Sequence, residues 1–292
     1  MSEPFLALLP RLLQLIENAD EPLTLSELSA RSGYSAWHLH RQFRLYCGIP
    51  LQSYQRLLKL QRAASALAYR QTPVTELALE AGYQHAESFS RAFARWLGQA
   101  PAQFRQQPDW QYWAEQTNAL HSVPHSDTAA RTESLLAAVQ TGHRDSTLLL
   151  QWLHQGHPAS LGASIRRFIE FRRTNKLHPS RFATFNLLYD DPADTAADEY
   201  RFGLALAVSA PQPELLQTPE LSYIRLPAGF YARLDHTGPD AQLESVIRAL
   251  YTELLPARGW QPADVPLLLE RVSFFPDVPA HLAQTRIWLA IE

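Results

Sequence analysis

Leu25-Ser26-Glu27-Leu28-Ser29-Ala30-Arg31-Ser32-Gly33-Tyr34 recurs as Val74-Thr75-Glu76-Leu77-Ala78-Leu79-Glu80-Ala81-Gly82-Tyr83, and an internal repeat of this kind outranks every other sequence signal. The likeness continues downstream: Leu39-His40-Arg41-Gln42-Phe43 is answered by Phe89-Ser90-Arg91-Ala92-Phe93, and Gly48-Ile49-Pro50 by Gly98-Gln99-Ala100-Pro101. Each copy reads as a short helix, a tight turn and a second helix. Thr24 and Glu27 have the spacing of a capping box, in which side chain and backbone satisfy each other's free groups. Gly33 and Gly82 stand where the first helix must stop, because glycine accepts the left-handed conformation just past a helix end. Ser35 is placed to cap the next helix. On it Leu39 and Phe43, at i and i+4, bury one side and leave Trp37, His40, Arg41 and Arg44 outward. The second copy turns Phe89 and Phe93 inward and Glu87, Ser90, Arg91 and Arg95 outward.

An apolar face held by the domain, opposite a face of hydrogen-bond donors, is what a recognition helix in a DNA major groove requires. Arg there bridges the O6 and N7 acceptors of guanine. Two linked units reach successive grooves on one face of the duplex, about 34 Å apart. Between them Leu51 to Tyr69 is a long amphipathic stretch, with Pro50 near its start and Thr72-Pro73 at its end. It reads as a linker helix that sets the spacing of the units. The bland alternative is an all-helical protein-interaction module.

Length and charge bound the rest. A chain of 292 residues suggests two domains, and no apolar stretch approaches the ~20 residues needed to cross a bilayer. Met1-Ser2-Glu3-Pro4 has no basic run of a secretory signal, and Cys47 is the single cysteine, so a reducing cytoplasm is expected. Cys47 lies between Tyr46 and Gly48 and reads as a small core residue. The net charge of −3 argues weakly against nucleic acid, but its distribution argues for it. Ser35 to Thr75 holds no Asp or Glu while carrying Arg41, Arg44, Arg56, Lys59, Arg62 and Arg70, and Ser88 to Pro108 carries Arg91, Arg95 and Arg105 without an acid.

Pro108 to roughly Arg131 mixes Gln, Ser, His and Pro. Beyond it strand-like alternation begins. Glu133–Gln140 and Thr147–His154 read as paired strands, Leu161–Arg173 as an amphipathic helix, and Phe182–Tyr189 and Tyr200–Val208 as further strands. The second half repeats this: strands near Leu221–Leu226 and Phe230–His236, a helix near Gln242–Arg258, then strands near Leu267–Phe275 and Thr285–Ile291. His154-Gln155-Gly156-His157-Pro158 answers His236-Thr237-Gly238-Pro239, and Asp190-Asp191-Pro192 answers Asp277-Val278-Pro279. Two such halves fit an antiparallel sheet with helices on one side and a concave cleft between halves.

The first region resembles the AraC/XylS family of bacterial regulators. Ala78, Gly82-Tyr83, Phe89-Ser90-Arg91-Ala92-Phe93, Gly98, Pro101 and Phe104-Arg105 carry the likeness, which spans about residues 5–108. Gly33 to Phe43 looks like the Rob-type branch, whose DNA-binding domain is N-terminal. The resemblance implies base reading by Trp37 and Arg41, with His40 in place of that branch's glutamine. In the second helix the matching positions are Ala86, Glu87, Ser90 and Arg91, where the branch has two glutamines, a threonine and an arginine. The docking mode therefore carries over and the base sequence read does not. Glu87 either accepts from a cytosine amine or caps its helix.

The second region, about 130–292, resembles the GyrI-like (SHS2-type) effector-binding domain through Gly229-Phe230-Tyr231, His236-Thr237-Gly238-Pro239 and Asp190-Asp191-Pro192. That likeness implies a cleft for organic, often cationic, molecules, with aromatic walls and a buried carboxylate. At the last-strand position where many members carry the acid stands Arg286, which either favours an anionic or neutral ligand, or pairs with a nearby acid or points to solvent. Glu270 matches another acidic position, and Phe185, Tyr189, Tyr231, Trp260 and Trp288 are candidate walls or core aromatics.

The expected architecture is thus two domains. Residues 1–108 form an all-α, homeodomain-like double helix-turn-helix, 109–131 a linker, and 132–292 an α+β GyrI-like domain of two ββαββ-like halves. The expected protein is a cytoplasmic, monomeric regulator of transcription and not an enzyme, with no cofactor and no metal. It binds double-stranded DNA, responds to a small-molecule effector held by Tyr189, Tyr231, Trp260, Glu270, Arg286 and Trp288, and has RNA polymerase as a further partner. Two alternatives stand beside it: a second domain that docks a protein, or a GyrI-like hydrolase using Tyr231, Glu270, His154 or His236. A repair enzyme would need a nucleophilic cysteine beside a base, and Cys47 sits alone in the helical region.

Overall fold

In the computed structural model, residues 5–19, 22–121, 137–192, 195–273, 277–278 and 282–292 are described. The chain divides into two compact units, one over Met1–Arg131, the other over Thr132–Val278 with Leu282–Glu292. The first is helical: α1 (Phe5–Asn18), α2 (Leu25–Ser32), α3 (Ala36–Cys47), α4 (Leu51–Tyr69), α5 (Val74–Glu80), α6 (Ala86–Leu97), α7 (Pro101–Gln106) and α8 (Trp110–His121). Each copy of the repeat owns a core. Leu9, Leu12, Leu28, Leu39 and Phe43 pack with Leu51 and Tyr54 from the start of α4, while Leu77, Phe89, Phe93 and Phe104 pack with Leu60, Ala64 and Leu67 from its later turns. The amphipathic stretch is indeed the shared beam between the two copies. Cys47 packs against the first core, and burial pushes its thiol up to about 12.

Helix α8 occupies the start of the segment expected to be linker. Its Trp110 and Trp113 lie 6.1 and 5.8 Å from Tyr69, ring centre to ring centre, and Trp113 meets Phe104 edge-on at 5.6 Å. This apolar stripe gives the segment a reason to fold that its polar neighbours concealed.

The second unit is an eight-stranded antiparallel sheet of β1 (Gln140–Arg144), β2 (Thr147–Gln155), β3 (Thr184–Leu188), β4 (Arg201–Ala207), β5 (Leu221–Leu226), β6 (Gly229–Thr237), β7 (Leu267–Arg271) and β8 (Gln284–Ile291), in the order β1-β6-β8-β7-β3-β4-β2-β5. Exchanging first-half strands for their second-half equivalents reverses this order onto itself, so the halves are related by a pseudo-twofold between β7 and β3. The first strand of each half is swapped: β1 pairs with β6, and β5 with β2. The expected β1–β2 pair is therefore corrected. The expected strand over Glu133–Gln140 is also displaced to Gln140–Arg144, residues 133–136 lying outside the described residues. Gln-Thr-Gly-His-Arg is mostly exposed and shows no alternation to betray a strand.

The swap forces the sheet to curl. β1 and β2 stand first and seventh in the order yet are joined by Asp145 and Ser146 alone. A flat sheet would set them about 29 Å apart, whereas two linking residues reach about 11 Å. The concave side thus gathers Leu149, Phe185, Leu187, Leu226, Tyr231, Leu268 and Ala290 from both halves. On the convex side α9 (Leu161–Thr174) covers Leu150, Trp152 and Leu204. Its counterpart covers Leu234, Leu269, Ile287 and Leu289. That second helix, expected unbroken over Gln242–Arg258, is α10 (Leu243–Ala249), a π-helical turn (Leu250–Leu254) and α11 (Leu255–Arg258). Among the described residues no helix is long and apolar enough to cross a membrane.

Candidate nucleic-acid interface and aromatic cage

The first helix pair is built as its sequence implies. Thr24 Oγ1 accepts from the Glu27 amide at 3.2 Å and Glu27 Oε2 accepts from the Thr24 amide at 2.7 Å, completing the box. Gly33 ends α2 at φ +73°, where any side chain would strain the backbone. Ser35 caps α3 by accepting from the His38 amide at 3.3 Å. Leu39 and Phe43 are 1% exposed, His40 is half-buried, and Arg41 and Arg44 are exposed. The side chain of Trp37 lies outside the described residues. Beside these, His38 and Gln42 bond to each other at 3.0 Å.

The second pair keeps the plan with different fittings. Phe89 and Phe93 are fully buried, and Glu87, Arg91 and Arg95 are exposed. Arg91 Nη2 donates to Ser88 Oγ at 3.1 Å, an exposed surface tether. Ser90 is less available than expected, since its hydroxyl donates to the Ala86 carbonyl at 2.7 Å and it is half-buried. No side chain caps α6, whose N-cap is His85; Glu87 lies in its first turn, where a carboxylate suits the helix dipole. Part of the acid-free basic run is structural. Arg62 donates to the Glu17 carbonyl at 2.8 Å, and Arg105 donates to the Thr72 carbonyl.

In the second unit the curl brings Tyr231, Trp288, Glu270 and Arg286 together on the concave face. Glu270 is tied on both oxygens: Arg286 Nη1 donates to Oε1 at 3.2 Å and Trp288 Nε1 to Oε2 at 2.9 Å. Arg286 lies directly across from Glu270 and from Asp235 in the ladders, with its Nε 3.6 Å from Asp235. The last-strand arginine thus pairs with acids. Arg233 also donates to Asp235 and, with Arg286, holds that carboxyl below its usual range. The Tyr231 hydroxyl donates to the Pro227 carbonyl at 3.0 Å, which fixes its ring. Tyr189 donates to Gln151 Oε1 at 2.6 Å beside the same face. Trp260 does not join them; it packs with the convex cluster under Arg258.

Sequence reasoning missed Arg144. From the end of β1 its guanidinium carbon sits 5.0 Å from the Trp288 ring centre, 5.2 Å from Phe185 and 5.8 Å from Tyr231. Burial lowers its affinity for a proton, opposed by the neighbouring Tyr231 hydroxyl and Glu270 carboxylate. No signal in Gly142-His143-Arg144-Asp145 distinguishes it from a turn residue.

His154 and His236, which end equivalent strands, are both buried. His154 Nδ1 shares a 2.9 Å bond with the Ser164 hydroxyl of α9, so it ties helix to sheet.

Two family models match this chain: a helix-turn-helix domain over residues 28–107 and a GyrI-like small molecule binding domain over 149–292. The regulatory protein SoxS of Escherichia coli (strain K12) is 35% identical over 89 residues, covering 30% of this chain and 83% of SoxS. The chain belongs to the AraC family of transcriptional regulators. This AraC-family chain is also 35% identical over 99 residues to the right origin-binding protein of Escherichia coli (strain K12), spanning 34% of each chain. It thus spans about a third of the length of that relative. A solved EcmrR-DNA complex aligns over 92% of this chain and 98% of that one at 11% identity, with a TM-score of 0.43, too slight a likeness to bear on function.

Proposed function

We propose that this AraC-family chain regulates transcription by binding double-stranded DNA through α3 and α6. The observation that carries this reading is the two-faced build of both helices: Leu39 and Phe43, and Phe89 and Phe93, are sealed in core, while Arg41 and Arg44, and Arg91 and Arg95, face solvent. Glu87 and Ser90 flank Arg91, and Trp37 and His40 flank Arg41, as further base or phosphate contacts. Two units in one chain remove the need for a dimer, so the protein acts as a cytoplasmic monomer of two domains and meets RNA polymerase at the promoter. The curled sheet is its effector domain, with Tyr231, Trp288 and Glu270 at the centre, Tyr189 at the margin and Arg286 as the fixed partner of Glu270. Both Glu270 oxygens are engaged, which supports a binding role over service as a general base.

Selection of bound duplexes from a random pool should yield one site of two half-boxes, with one chain per duplex by light scattering. Arg41→Ala and Arg91→Ala should each relax base preference in a different half-box, at a cost of about 1–3 kcal/mol. Binding indifferent to sequence and lost with salt would overturn the reading.

A further inference from the structure

Arg172 and Arg144 of the second unit both turn inward, and they are held in opposite ways. Arg172, on α9, is 6% exposed and bonded at every guanidinium nitrogen: its Nε donates to the Leu177 carbonyl at 2.9 Å, Nη1 to Thr184 Oγ1 at 2.6 Å and Nη2 to the Phe182 carbonyl at 3.0 Å. Arg144 sits among Phe185, Tyr231 and Trp288 with Nη1 covered and without a hydrogen-bond partner among the described residues. Ring faces and the nearby charge of Glu270 are what hold it. A buried donor left unbonded forfeits hydration without recompense, so the guanidinium is a poor fit for a site that suits positive charge well.

The pseudo-twofold shows that the fold does not need it. Arg144 lies opposite Gly229, the first residue of β6, and its counterpart opposite Thr147, the first residue of β2, is Leu226, which is 3% exposed. One half fills this position with an apolar core residue; the other fills it with a cation in a box of aromatic faces.

We propose that Arg144 is a built-in occupant of this cage, and that a small organic cation lacking N–H donors takes its place, releasing the edge strand β1. Such a cation gains the same ring faces and the field of Glu270 and leaves no donor unmet, while the expelled guanidinium regains water. The consequence is mechanical. Among the described residues β1 pairs only with β6, at the sheet edge; its Gln140, Thr141, Gly142 and His143 are exposed, and Arg144 is the residue of β1 that turns inward. This rests on the reading of the second unit as an effector domain.

The test uses the full chain and benzyltrimethylammonium, followed by titration calorimetry and by amide exchange over residues 140–144. Arg144→Ala should bind the probe at least tenfold more tightly than the wild type, since nothing has to be expelled, and Arg144→Gln should shift the same way with a smaller change in packing. Adding the probe to the wild type should speed exchange in β1, and Arg144→Ala should show that faster exchange without it. Affinity unchanged or lowered in both variants, absence of binding to either, or β1 exchange in the wild type indifferent to saturating probe overturns the proposal. DNA selection on the same samples reports separately on the regulator reading, so the two can fail independently.

Discussion

Both units are duplications, yet they use duplication differently. The helical unit keeps two cores apart on one beam, with Leu51 and Tyr54 of α4 serving the first copy and Leu60, Ala64 and Leu67 the second. The sheet unit exchanges its first strands and merges its concave core, so Leu149 and Phe185 of one half touch the same cluster as Leu226, Tyr231 and Ala290 of the other. Separate cores let each recognition helix evolve its own outward face. A merged core makes any event at the cage an event of the whole domain, which is what a sensor needs.

The contrast can be broken experimentally. Phe93→Ala removes a fully buried ring from the second helical core and should cost about 3–5 kcal/mol. Amide exchange should show α5 to α7 losing protection while α2 and α3 keep theirs; equal loss in both copies would mean the cores are not independent. Leu149→Ala, fully buried in the concave cluster, should cost about 2–5 kcal/mol. It should lower the melting of both halves of the sheet unit in one transition.

A third test exploits a group found only in the first copy. Burial raises the Glu17 carboxyl from 4.5 to about 7, opposed by Arg62. The folded state therefore prefers the protonated acid: its contribution is fully present below pH 4.5 and is lost as pH rises through about 7. Denaturant titrations should show the helical unit losing about 3 kcal/mol across that window, and Glu17→Gln should flatten the slope. The smallest effect concerns caps. Ser35→Ala should lower stability by about 1 kcal/mol, while His85→Ala, at an N-cap without a side-chain bond, should leave thermal melting nearly unchanged.

The helical repeat was legible because its signals are local. A capping box at Thr24 and Glu27, glycines at Gly33 and Gly82, and apolar pairs at i and i+4 each act within a few residues. The outward arginines followed from the inward phenylalanines by helical geometry. In the sheet unit the elements were legible and their partners were not. Alternation along a strand states which face is apolar and is silent on which strand lies beside it, so the swap of β1 and β5 stayed hidden. Trp260 was misassigned for the same reason: aromatic character does not reveal which side of a sheet a loop residue will cover.

The sequence by itself determined two duplicated units and which side of each recognition helix meets solvent, because those follow from short-range periodicity and caps. Only the tertiary structure decided what fills the aromatic cage and what pairs with Arg286. Those contacts join residues far apart in the chain, and it is the curl of the sheet, imposed by a two-residue link between its first and seventh strands, that brings them within reach.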